Sequence, residues 1–411
     1  MIDLKLLREE PERIVALLKK KEPSYDIESL IALDAQLREC GTRVDHLRNK
    51  KNELARLAAT GITPALREEA IAVGRELKEQ EAVLADVRVR FDKLYLECPN
   101  IPSEDLPLGG KEANHVIKMV GEKPSFDFSV KNHVELGVPL GWFDFEAAVR
   151  MTGSQFVFYK KEAVRLMYAL TRMMLKNNEK HGFDPVLPPY LVNERSLETA
   201  SNFPKFRDQV YSINDEDLYL TPTAEVNLTN LYRDHIFESA QELPIRMTAW
   251  TSCFRREAGT YGATERGLIR IHQFEKVELY TLCTPEQAEQ EHLRMLACAE
   301  DILQQLGLHY RVSLLAMQDC SFPSAKTFDI EVWMPGQGAY YEVSSCSNCT
   351  DFQSRRGKIR YRPTPGEKTE LVYTLNCSSL ALPRLIVALM ETYQRADGTI
   401  KLPPVLEKEL W

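Results

Sequence analysis

The chain has 411 residues and a formal net charge of −8, and 44% of its residues are hydrophobic and 27% charged. This length predicts two or three domains, and the composition excludes collagen-like, disulfide-scaffold and wholly disordered proteins. The nine cysteines are odd in number and scattered, which favours a reducing, cytoplasmic location over a secreted disulfide framework. No apolar run approaches the ~20 residues that a membrane span needs, so no membrane association is expected.

The first hundred residues contain a short amphipathic helix over residues 1–22, followed by two apolar seams. Apolar residues recur at alternating spacings of three and four positions over residues 30–57 and again over residues 66–94. Because the seams match in length and are joined by a Gly- and Pro-containing turn, they predict an antiparallel helical-hairpin coiled coil over about residues 27–97. Each helix would extend roughly 48 Å, and the narrow seam favours an arm over a bundle inside a globular domain.

A Pro- and Gly-rich stretch, PNIPSEDLPLGGKE, separates the hairpin from the rest of the chain. It predicts an N-terminal domain over residues 1–105 and a second domain over residues 106–411. In the second domain strand patterns follow one another rather than alternating with helices, which predicts an antiparallel sheet flanked by helices and an α+β fold. The predicted strands are residues 218–220, 246–254, 268–282, 310–316, 327–334, 339–343 and 371–375, and the predicted helices are residues 161–181, 285–306 and 380–395.

Three segments of the second domain concentrate groups that could bind phosphate. TSCFRREAGTYGATERGLIRIHQFEKVELY predicts two strands joined by a Gly-rich loop, with arginines at the strand ends and, as Arg266, in the loop. YYEVSSCSNCTDFQ ends an apolar strand at Glu342, whose carboxylate and neighbouring hydroxyls could hold Mg²⁺. TLNCSSLALPRLIVALMETYQ predicts a strand, a polar turn and a helix with Arg384 in its first turns. On pattern alone, a solvated charged surface is the alternative for each segment.

Together these segments resemble class II aminoacyl-tRNA synthetases, and in particular the seryl-tRNA synthetases of the bacterial type. About residues 250–280 look like motif 2 of that class, about residues 371–394 look like motif 3, and HGFDPVLPPYLVNERSL at about residues 181–197 looks like motif 1, which lies at the dimer interface in the family. LTPTAEVNLTNLYRD, AKTFDIEVWMPGQGAYYEVSSCSN and the N-terminal hairpin extend the resemblance, in order, over the whole chain.

The resemblance implies a serine–tRNA ligase that uses ATP. It would activate L-serine as seryl-adenylate and transfer the seryl group to tRNA(Ser), with tRNA(Sec) as a further expected acceptor. A homodimer is expected, with ATP as a substrate and Mg²⁺ as a cofactor. Because a carboxylate attacks phosphate without a base, catalysis would consist of positioning and neutralisation of phosphate charge. Arg255 would hold the α-phosphate and the serine carboxylate, and Arg384 the γ-phosphate.

The other site residues implied by the resemblance fall into two sets. In the ATP set, Phe274 would stack on adenine, and Glu342 and Ser345 would bind Mg²⁺; its members are Arg255, Arg256, Glu257, Arg270, Ile271, Phe274, Glu342, Val343, Ser344, Ser345 and Arg384. In the L-serine set, the two glutamates would meet the ammonium and hydroxyl groups; its members are Thr223, Ala224, Glu225, Glu278 and Ser378. A site built to bind a hydroxyl rejects alanine strongly.

The hairpin carries a local basic surface on an otherwise acidic chain. Residues 43–56 have a local charge of +3, and their basic members are Arg43, Arg48, Lys50, Lys51 and Arg56. The resemblance implies that this hairpin grips the long variable arm of tRNA(Ser), mainly through phosphate and shape. For any single one of these side chains, a solvated helix face is the alternative.

The chain departs from the family pattern in motif 3, where Cys377, Ser379, Leu382 and Pro383 replace small residues or glycine. Two other functions are open to such a chain. A paralogue that loads serine onto a carrier protein or small molecule would be expected to lack the hairpin, which is present. An RNA-binding or regulatory module would be favoured by loss of the motif 2 and motif 3 arginines, which are retained.

Overall fold

The structure is a computed structural model that describes residues 1–258 and 267–410. Arg266, in the loop of the predicted motif 2, and Trp411 lie outside the described residues. The chain divides into two compact units, Lys5–Pro99 and Met1–Leu4 together with Asn100–Trp411. Within the described ranges, none of the helices is long and apolar enough to cross a membrane.

The first unit is helical throughout, with α1 (Leu4–Glu9), α2 (Pro11–Lys21), α3 (Ile27–Thr60) and α4 (Pro64–Leu96). The single helix predicted for residues 1–22 is therefore two helices. Pro11 is the first residue of α2, where its missing N–H costs nothing, but it could not continue α1. Asp26 caps α3 by accepting a hydrogen bond from the Ser29 N–H at 3.0 Å, and Thr63 caps α4 in the same way.

The long helices α3 and α4 pack against each other as the predicted antiparallel hairpin. The turn between them, residues 61–63, is shorter than expected because Thr63 already caps α4 and Pro64 starts it. The buried seam in the distal half consists of Val44, Leu47, Leu54, Val73 and Leu77. Nearer the turn the seam opens, since Leu57 is 50% exposed. The apolar seam thus predicts the pairing of the helices, but burial weakens toward the tip.

The second unit is built on an eight-stranded sheet. Its strand order is β1-β10-β11-β12-β15-β9-β8-β4, and neighbouring strands are antiparallel except for the parallel pair β8 and β4. These strands are β1 (His115–Val120), β4 (Asp184–Val186), β8 (Ile245–Phe254), β9 (Gln273–Cys283), β10 (Tyr310–Leu314), β11 (Lys326–Met334), β12 (Ala339–Asn348) and β15 (Tyr373–Ala381). Short strands form smaller sheets: β2 (Phe143–Asp144), β3 (Phe158–Tyr159), β5 (Leu191–Val192), β6 (Tyr219–Leu220), β7 (Ile236–Phe237), β13 (Arg360–Tyr361) and β14 (Glu370–Leu371).

Helices pack against this sheet and bury its apolar side chains, which confirms the predicted α+β fold with flanking helices. They are α5 (His133–Gly137), α6 (Phe145–Thr152), α7 (Glu162–Lys180), α8 (Glu194–Thr199), α9 (Ala224–Leu231), α10 (Ala288–Gln305), α11 (Phe352–Gly357), α12 (Leu382–Thr392) and α13 (Pro404–Glu407). The main core lies between the sheet and α7, α10 and α12, where Leu166, Met295 and Leu385 are fully buried. This packing fixes the strands that carry the polar residues of the opposite face.

Three predicted boundaries in this unit are wrong. Strand β9 begins at Gln273 rather than at residue 268, so Arg270 precedes the strand instead of lying on it. Strand β12 continues to Asn348, which places Glu342 within the strand and not at its end. The polar turn predicted before the motif 3 helix does not form, because β15 pairs with β12 as far as Cys377 and with β9 as far as Ala381. Pairing with neighbouring strands overrides the weak strand propensity of these polar residues.

Candidate active site

A cavity of about 330 Å³ opens between the ends of β8 and β9, strand β12 and the start of α12. Half of the described residues that line it are polar or charged, and one of the apolar residues is aromatic. The lining consists of Arg255, Glu257, Leu268, Ile269, Arg270, Ile271, Phe274, Lys276, Glu342, Val343, Ser378, Ala381, Pro383 and Arg384. A cavity with convergent charges and one aromatic wall suits a nucleotide-sized anionic ligand.

Successive side chains of the central strand β9 point alternately into the main core and toward the cavity. Val277 and Leu279 belong to the main core, whereas Phe274 and Lys276 line the cavity. Glu278 lies on the same face of β9 as Lys276, and it is the register partner of Ser378 in the neighbouring strand β15. The sheet therefore brings residues about one hundred positions apart in sequence into one polar site.

Arg255 follows the last residue of β8 and is held by three contacts. Its Nε donates to the Pro222 carbonyl at 3.3 Å, and its guanidinium lies 5.3 Å from the centre of the Phe274 ring. Its backbone N–H donates to the His272 carbonyl at 2.8 Å. In the described part of the chain, no carboxylate lies within ion-pair distance of this guanidinium. Its charge is thus held in position and, as far as the described residues go, not neutralised by a direct ion pair.

Arg384 reaches the opposite side of the cavity from the first turn of α12. Its Nη1 donates to the Glu342 carbonyl at 2.8 Å and its Nε to the Ile269 carbonyl at 3.4 Å. The Glu342 carboxylate is 3.7 Å away, and the two side chains are 27% and 47% exposed. A guanidinium has five N–H donors, so donors remain for a ligand.

Arg270 and Glu257 form an ion pair at the mouth of the cavity, with 3.1 Å between Nη1 and Oε2. Glu257 has a φ of +46°, a left-handed conformation that is uncommon for a residue other than glycine. These residues stand on the two sides of segment 259–266, which is not described. The pair therefore links the two limbs of the predicted motif 2 across that segment.

Three buried side chains form a compact polar cluster that borders the cavity through Lys276. Lys276 contacts the Glu278 carboxylate and donates to the Thr223 hydroxyl at 2.8 Å. The Thr223 hydroxyl in turn donates to Glu278 Oε2 at 2.9 Å. Lys276 and Glu278 are 6% and 1% exposed. Burial makes this pair sensitive to loss of either partner, because the remaining charge would be left uncompensated.

Glu225, in the first turn of α9, is a second acidic group beside this cluster. Burial and the charge of Glu278 raise the pKa of Glu225 to about 7, although the charges of Lys276 and Arg255 oppose the shift. Gln353 donates to Glu225 Oε1 at 2.6 Å, which also stabilises the carboxylate. A carboxyl poised near neutrality can accept an ammonium group, which would favour its charged form.

A further acidic group lies behind Glu342. Asp329 is the partner of Ser345 in the register of β11 and β12, and Asp329 Oδ1 has no hydrogen-bond partner among the residues that the structure describes. Burial and the charge of Glu342 raise the pKa of Asp329 well above its usual value, while a hydrogen bond from Ser345 opposes this. A cation bound beside Glu342 would oppose this shift and favour the charged form of Asp329.

Some of the sequence-predicted residues do not reach the cavity. Arg256 is exposed, with its backbone N–H bonded to the Gln209 carbonyl at 2.9 Å, and Ala224 is buried in an apolar cluster. Ser344 lies behind the site, where its hydroxyl donates to the Ser378 carbonyl at 2.5 Å. These three residues are positioned to support the site rather than to touch a ligand.

Two residues of the site escaped the sequence analysis. Lys276 could have been predicted, because the alternation of side chains along FEKVEL puts Lys276 on the same face as Phe274 and Glu278. Gln353 carried no such signal, since it comes from the short helix α11, 128 positions from Glu225. The residues of motif 3 that depart from the family pattern lie in different places. Pro383 lines the cavity, whereas Cys377 is buried in the core.

The predicted basic surface of the hairpin is partly neutralised by its own partner helix. Arg43 pairs with Glu76 at 2.8 Å, Arg48 with Glu81 at 2.9 Å, and Lys50 with Glu69 at 2.8 Å. The other two basic residues, Lys51 and Arg56, are exposed and have no ion-pair partner in the described chain. All of these groups are at least partly solvated, so the pairs are weak and exchangeable.

Known proteins are similar to this chain over its full length. Residues 206–393 match the family of class II tRNA synthetase core domains (G, H, P, S and T), and residues 1–102 match the seryl-tRNA synthetase N-terminal domain. The serine–tRNA ligases of Synechococcus elongatus and Chlamydia abortus are 43% and 42% identical to the chain over 100% of its length and 98% of theirs. The crystal structure of seryl-tRNA synthetase from Pyrococcus horikoshii complexed with ATP is 34% identical with a TM-score of 0.93, covering 100% of this chain and 98% of that one.

Proposed function

Because the chain belongs to the seryl-tRNA synthetase family, we infer that it activates L-serine with ATP and transfers the seryl group to tRNA(Ser). The observation that carries this inference is the similarity to serine–tRNA ligases over the full length of the chain. In the first step the serine carboxylate attacks the α-phosphate, and pyrophosphate leaves. In the second step a hydroxyl of the terminal ribose of tRNA attacks the acyl carbon, and AMP leaves.

We propose that the 330 Å³ cavity binds ATP between the two fixed arginines. Arg255 would contact the α-phosphate and the serine carboxylate, and Arg384 the γ-phosphate. Both guanidiniums are already held by backbone carbonyls, so little reorganisation is needed when charge develops on the phosphate oxygens. Phe274 offers a ring for adenine at the same wall, with Ile271 beside it.

The residues around Glu342 fit a magnesium ion that arrives with the triphosphate. The donors are oxygen atoms, as Mg²⁺ requires, and the buried Asp329 Oδ1 behind them has no hydrogen-bond partner in the described chain. No group of three His, Cys, Asp or Glu side chains within the described ranges could hold a metal alone. Glu342 and Ser345 would therefore bind an ion whose other ligands are phosphate oxygens and water, and the bound ion would neutralise charge on the leaving pyrophosphate.

The inner cluster would bind L-serine. Glu225 and Glu278 supply negative charge for the ammonium group, and Thr223 and Ser378 supply hydroxyls beside it. Lys276 compensates Glu278, so one net negative charge remains when Glu225 is ionised. This is the charge that an ammonium group balances, which supports assigning the amino acid to this end of the cavity.

The hairpin would bind tRNA. Its helices expose Lys51 and Arg56, and the solvated pairs of Arg43, Arg48 and Lys50 can exchange their carboxylates for phosphates. The proposal includes tRNA(Sec) as a second acceptor, because contacts to phosphate and shape would not depend on the anticodon.

We also propose a homodimer that acts in the cytoplasm. A shallow cavity of about 530 Å³ lies next to the predicted motif 1. Its apolar lining residues are Tyr168, Leu175, Pro185 and Trp250. Leu187 beside it is 74% exposed. The same cavity is also lined by charged side chains, among them Lys176 and Glu409, and exposed apolar side chains grouped within a polar rim are typical of a self-association site. Among the described residues no disulfide joins any of the nine cysteines, and eight of them are buried, which supports a reducing compartment.

Serine-dependent exchange of pyrophosphate into ATP, followed by charging of unfractionated tRNA, tests the proposal. A seryl-tRNA synthetase gives both reactions. Exchange without charging would indicate a paralogue that loads a different acceptor. RNA binding without exchange would indicate a regulatory module. Omission of Mg²⁺ should abolish exchange, and size-exclusion chromatography with light scattering tests the dimer.

A further inference from the structure

A buried histidine outside the cavity contacts both the motif 3 helix and the returning limb of motif 2. His133 begins α5, and Glu391 lies in the last turn of α12; they are 2% and 0% exposed. His133 Nδ1 lies 3.1 Å from Glu391 Oε1. Neither residue belongs to the sets implied by the family resemblance.

The hydrogen bonds of the imidazole determine its tautomer. The backbone N–H of Leu268 donates to His133 Nε2 at 3.1 Å, so Nε2 carries the lone pair. The ring proton therefore sits on Nδ1 and is donated to Glu391. Glu391 also accepts from the His133 backbone N–H at 3.0 Å, from Gln337 Nε2 at 2.9 Å and from the Gly336 N–H at 2.9 Å. A carboxylate with four donors is a rigid anchor for the ring.

The main chain of motif 2 comes into direct contact with this ring. Gly267 has a φ of +72°, and a Cβ there would lie 2.1 Å from His133 Nε2 and 2.7 Å from Val134 Cγ2. Only glycine fits this approach, for reasons of both conformation and space. The packing of Gly267 is thus evidence for the contact that does not depend on the hydrogen bond of Leu268.

The anchored segment leads straight into the cavity. Leu268, Ile269, Arg270 and Ile271 all line it, and the Ile269 carbonyl accepts from Arg384 Nε at 3.4 Å. The chain thus runs from the imidazole to the ATP wall within four residues. By contrast, the two residues of the serine cluster lie on other elements. Glu278 belongs to β9 and Thr223 caps α9, so their positions do not depend on this segment.

We propose that His133 is a positioning residue for ATP: its neutral imidazole, oriented by Glu391, holds the returning limb of motif 2 so that Arg270 and Ile271 face the nucleotide. The inference rests on the proposed function for the identity of the ligand. The anchor itself is defined by the hydrogen bond at Leu268 and the close packing of Gly267.

Two substitutions of His133 separate its two hydrogen bonds. In His133→Asn the amide nitrogen ends near the position of Nδ1 and can still donate to Glu391, but nothing reaches Leu268. In His133→Gln the amide oxygen ends near the position of Nε2 and can accept from Leu268. In pyrophosphate exchange, His133→Asn should raise the KM for ATP about fivefold, while His133→Gln stays within about twofold of the parent. The KM for serine should change less than twofold in both.

Hydrogen exchange of the Leu268 amide provides a readout that uses no substrate. His133→Asn should lose protection at this amide and His133→Gln should keep it. Unchanged protection in His133→Asn, equal effects of the two variants, or parallel rises in the KM for ATP and serine would each overturn the proposal. If His133→Asn does not fold, Gly267→Ala replaces it, and an unaltered KM for ATP would be decisive against the anchor. A wild-type protein without serine-dependent exchange refutes the proposed function, whereas the Leu268 measurement still decides on the anchor.

Discussion

The helical hairpin and the sheet unit use charged residues in opposite ways. On the hairpin the charges are solvated, and most of the predicted basic residues pair with carboxylates across the two helices. In the sheet unit Lys276 and Glu278 are buried and touch each other, and the cavity arginines are held by backbone carbonyls. Solvated pairs are weak and exchangeable, whereas buried groups are costly to disturb. Substitutions should therefore act gradually on the hairpin and severely in the cavity.

The sharpest test of this comparison removes the hairpin. Replacement of residues 29–97 by a short Gly/Ser linker should abolish tRNA charging and leave serine-dependent pyrophosphate exchange largely intact. The reason is that the cavity is lined by described residues from Arg255 onward, whereas the basic surface lies on α3. Exchange and charging are measured on the same preparation. Charging near the parental rate would remove the hairpin from tRNA recognition and revive the paralogue hypothesis.

The next largest effect is expected from the cavity arginines. Arg255→Ala and Arg384→Ala should each lower the rate of pyrophosphate exchange by about 10²–10³-fold, as expected for loss of one preorganised donor to developing charge. Arg395→Ala is the matched control, since Arg395 is exposed and outside the cavity lining. Exchange within threefold of the parent in either cavity variant would contradict the assignment.

The pH dependence of serine use tests the buried carboxyl. The pKa of Glu225 is raised to about 7, so this group becomes protonated as the pH falls through 7 and loses the charge that holds the ammonium. Hence kcat/KM for serine should fall below pH 7, by about tenfold per pH unit well below it. Glu225→Gln should lower kcat/KM about 10- to 100-fold at pH 8 and abolish this acid limb.

Gln353→Leu provides the complementary shift. It removes the donor that favours the charged form of Glu225, so the acid limb should move to higher pH. An acid limb that stays in place in both variants would assign the titration to another group.

On the hairpin, neighbouring lysines give a graded comparison. Lys51 is exposed without an ion-pair partner in the described chain, whereas Lys50 is bonded to Glu69. Lys51→Ala should weaken tRNA binding several-fold at low salt and reduce the slope of log K against log salt by about 1. Lys50→Ala and Arg48→Ala should act more weakly, because each of these side chains must first leave its carboxylate partner to contact a phosphate, which lowers its net contribution to binding. Glu69→Gln should tighten binding slightly. If Lys51→Ala leaves the slope of log K against log salt unchanged, Lys51 does not contact a phosphate.

The smallest effect is expected at the departure in motif 3. Cys377 is buried in the core, and the neighbouring Ser379 hydroxyl donates to Asn178 Oδ1 at 3.1 Å, on the side away from Ser378. Cys377→Gly should therefore leave the KM for serine within about twofold, while lowering thermal stability because a glycine weakens a strand and leaves a cavity. A tenfold change in the KM for serine would show that Cys377 shapes the pocket.

The sequence predicted most where structure is local. The seam of α3 and α4 repeats every three and four residues, so the pairing of the two helices follows from spacing alone. The extents of β12 and β15 did not follow, because the polar residues of NCSS form a strand only through pairing with Glu278 on one side and Cys346 on the other. Strand ends are set by neighbours that are distant in sequence.

The candidate site shows the same limit. Arg255, Phe274 and Arg384 were accessible from motifs, and the cavity brings them together. Gln353 and His133 were not, since each acts through a contact with a segment more than 120 positions away. Such partners have no local pattern, and only the folded sheet unit reveals them.

The ion pairs across the hairpin have a consequence for selectivity among RNAs. The helices α3 and α4 carry acidic and basic side chains in equal number, so the hairpin has no net attraction for polyanions at long range. An RNA that engages Arg43 or Arg48 must displace Glu76 or Glu81, and the released carboxylate then repels any phosphate left beside it. Only a backbone whose phosphates match the spacing of the basic groups gains more than it loses. If it binds tRNA as proposed, the self-paired hairpin would disfavour adventitious RNA, at the expense of affinity for every RNA that it meets.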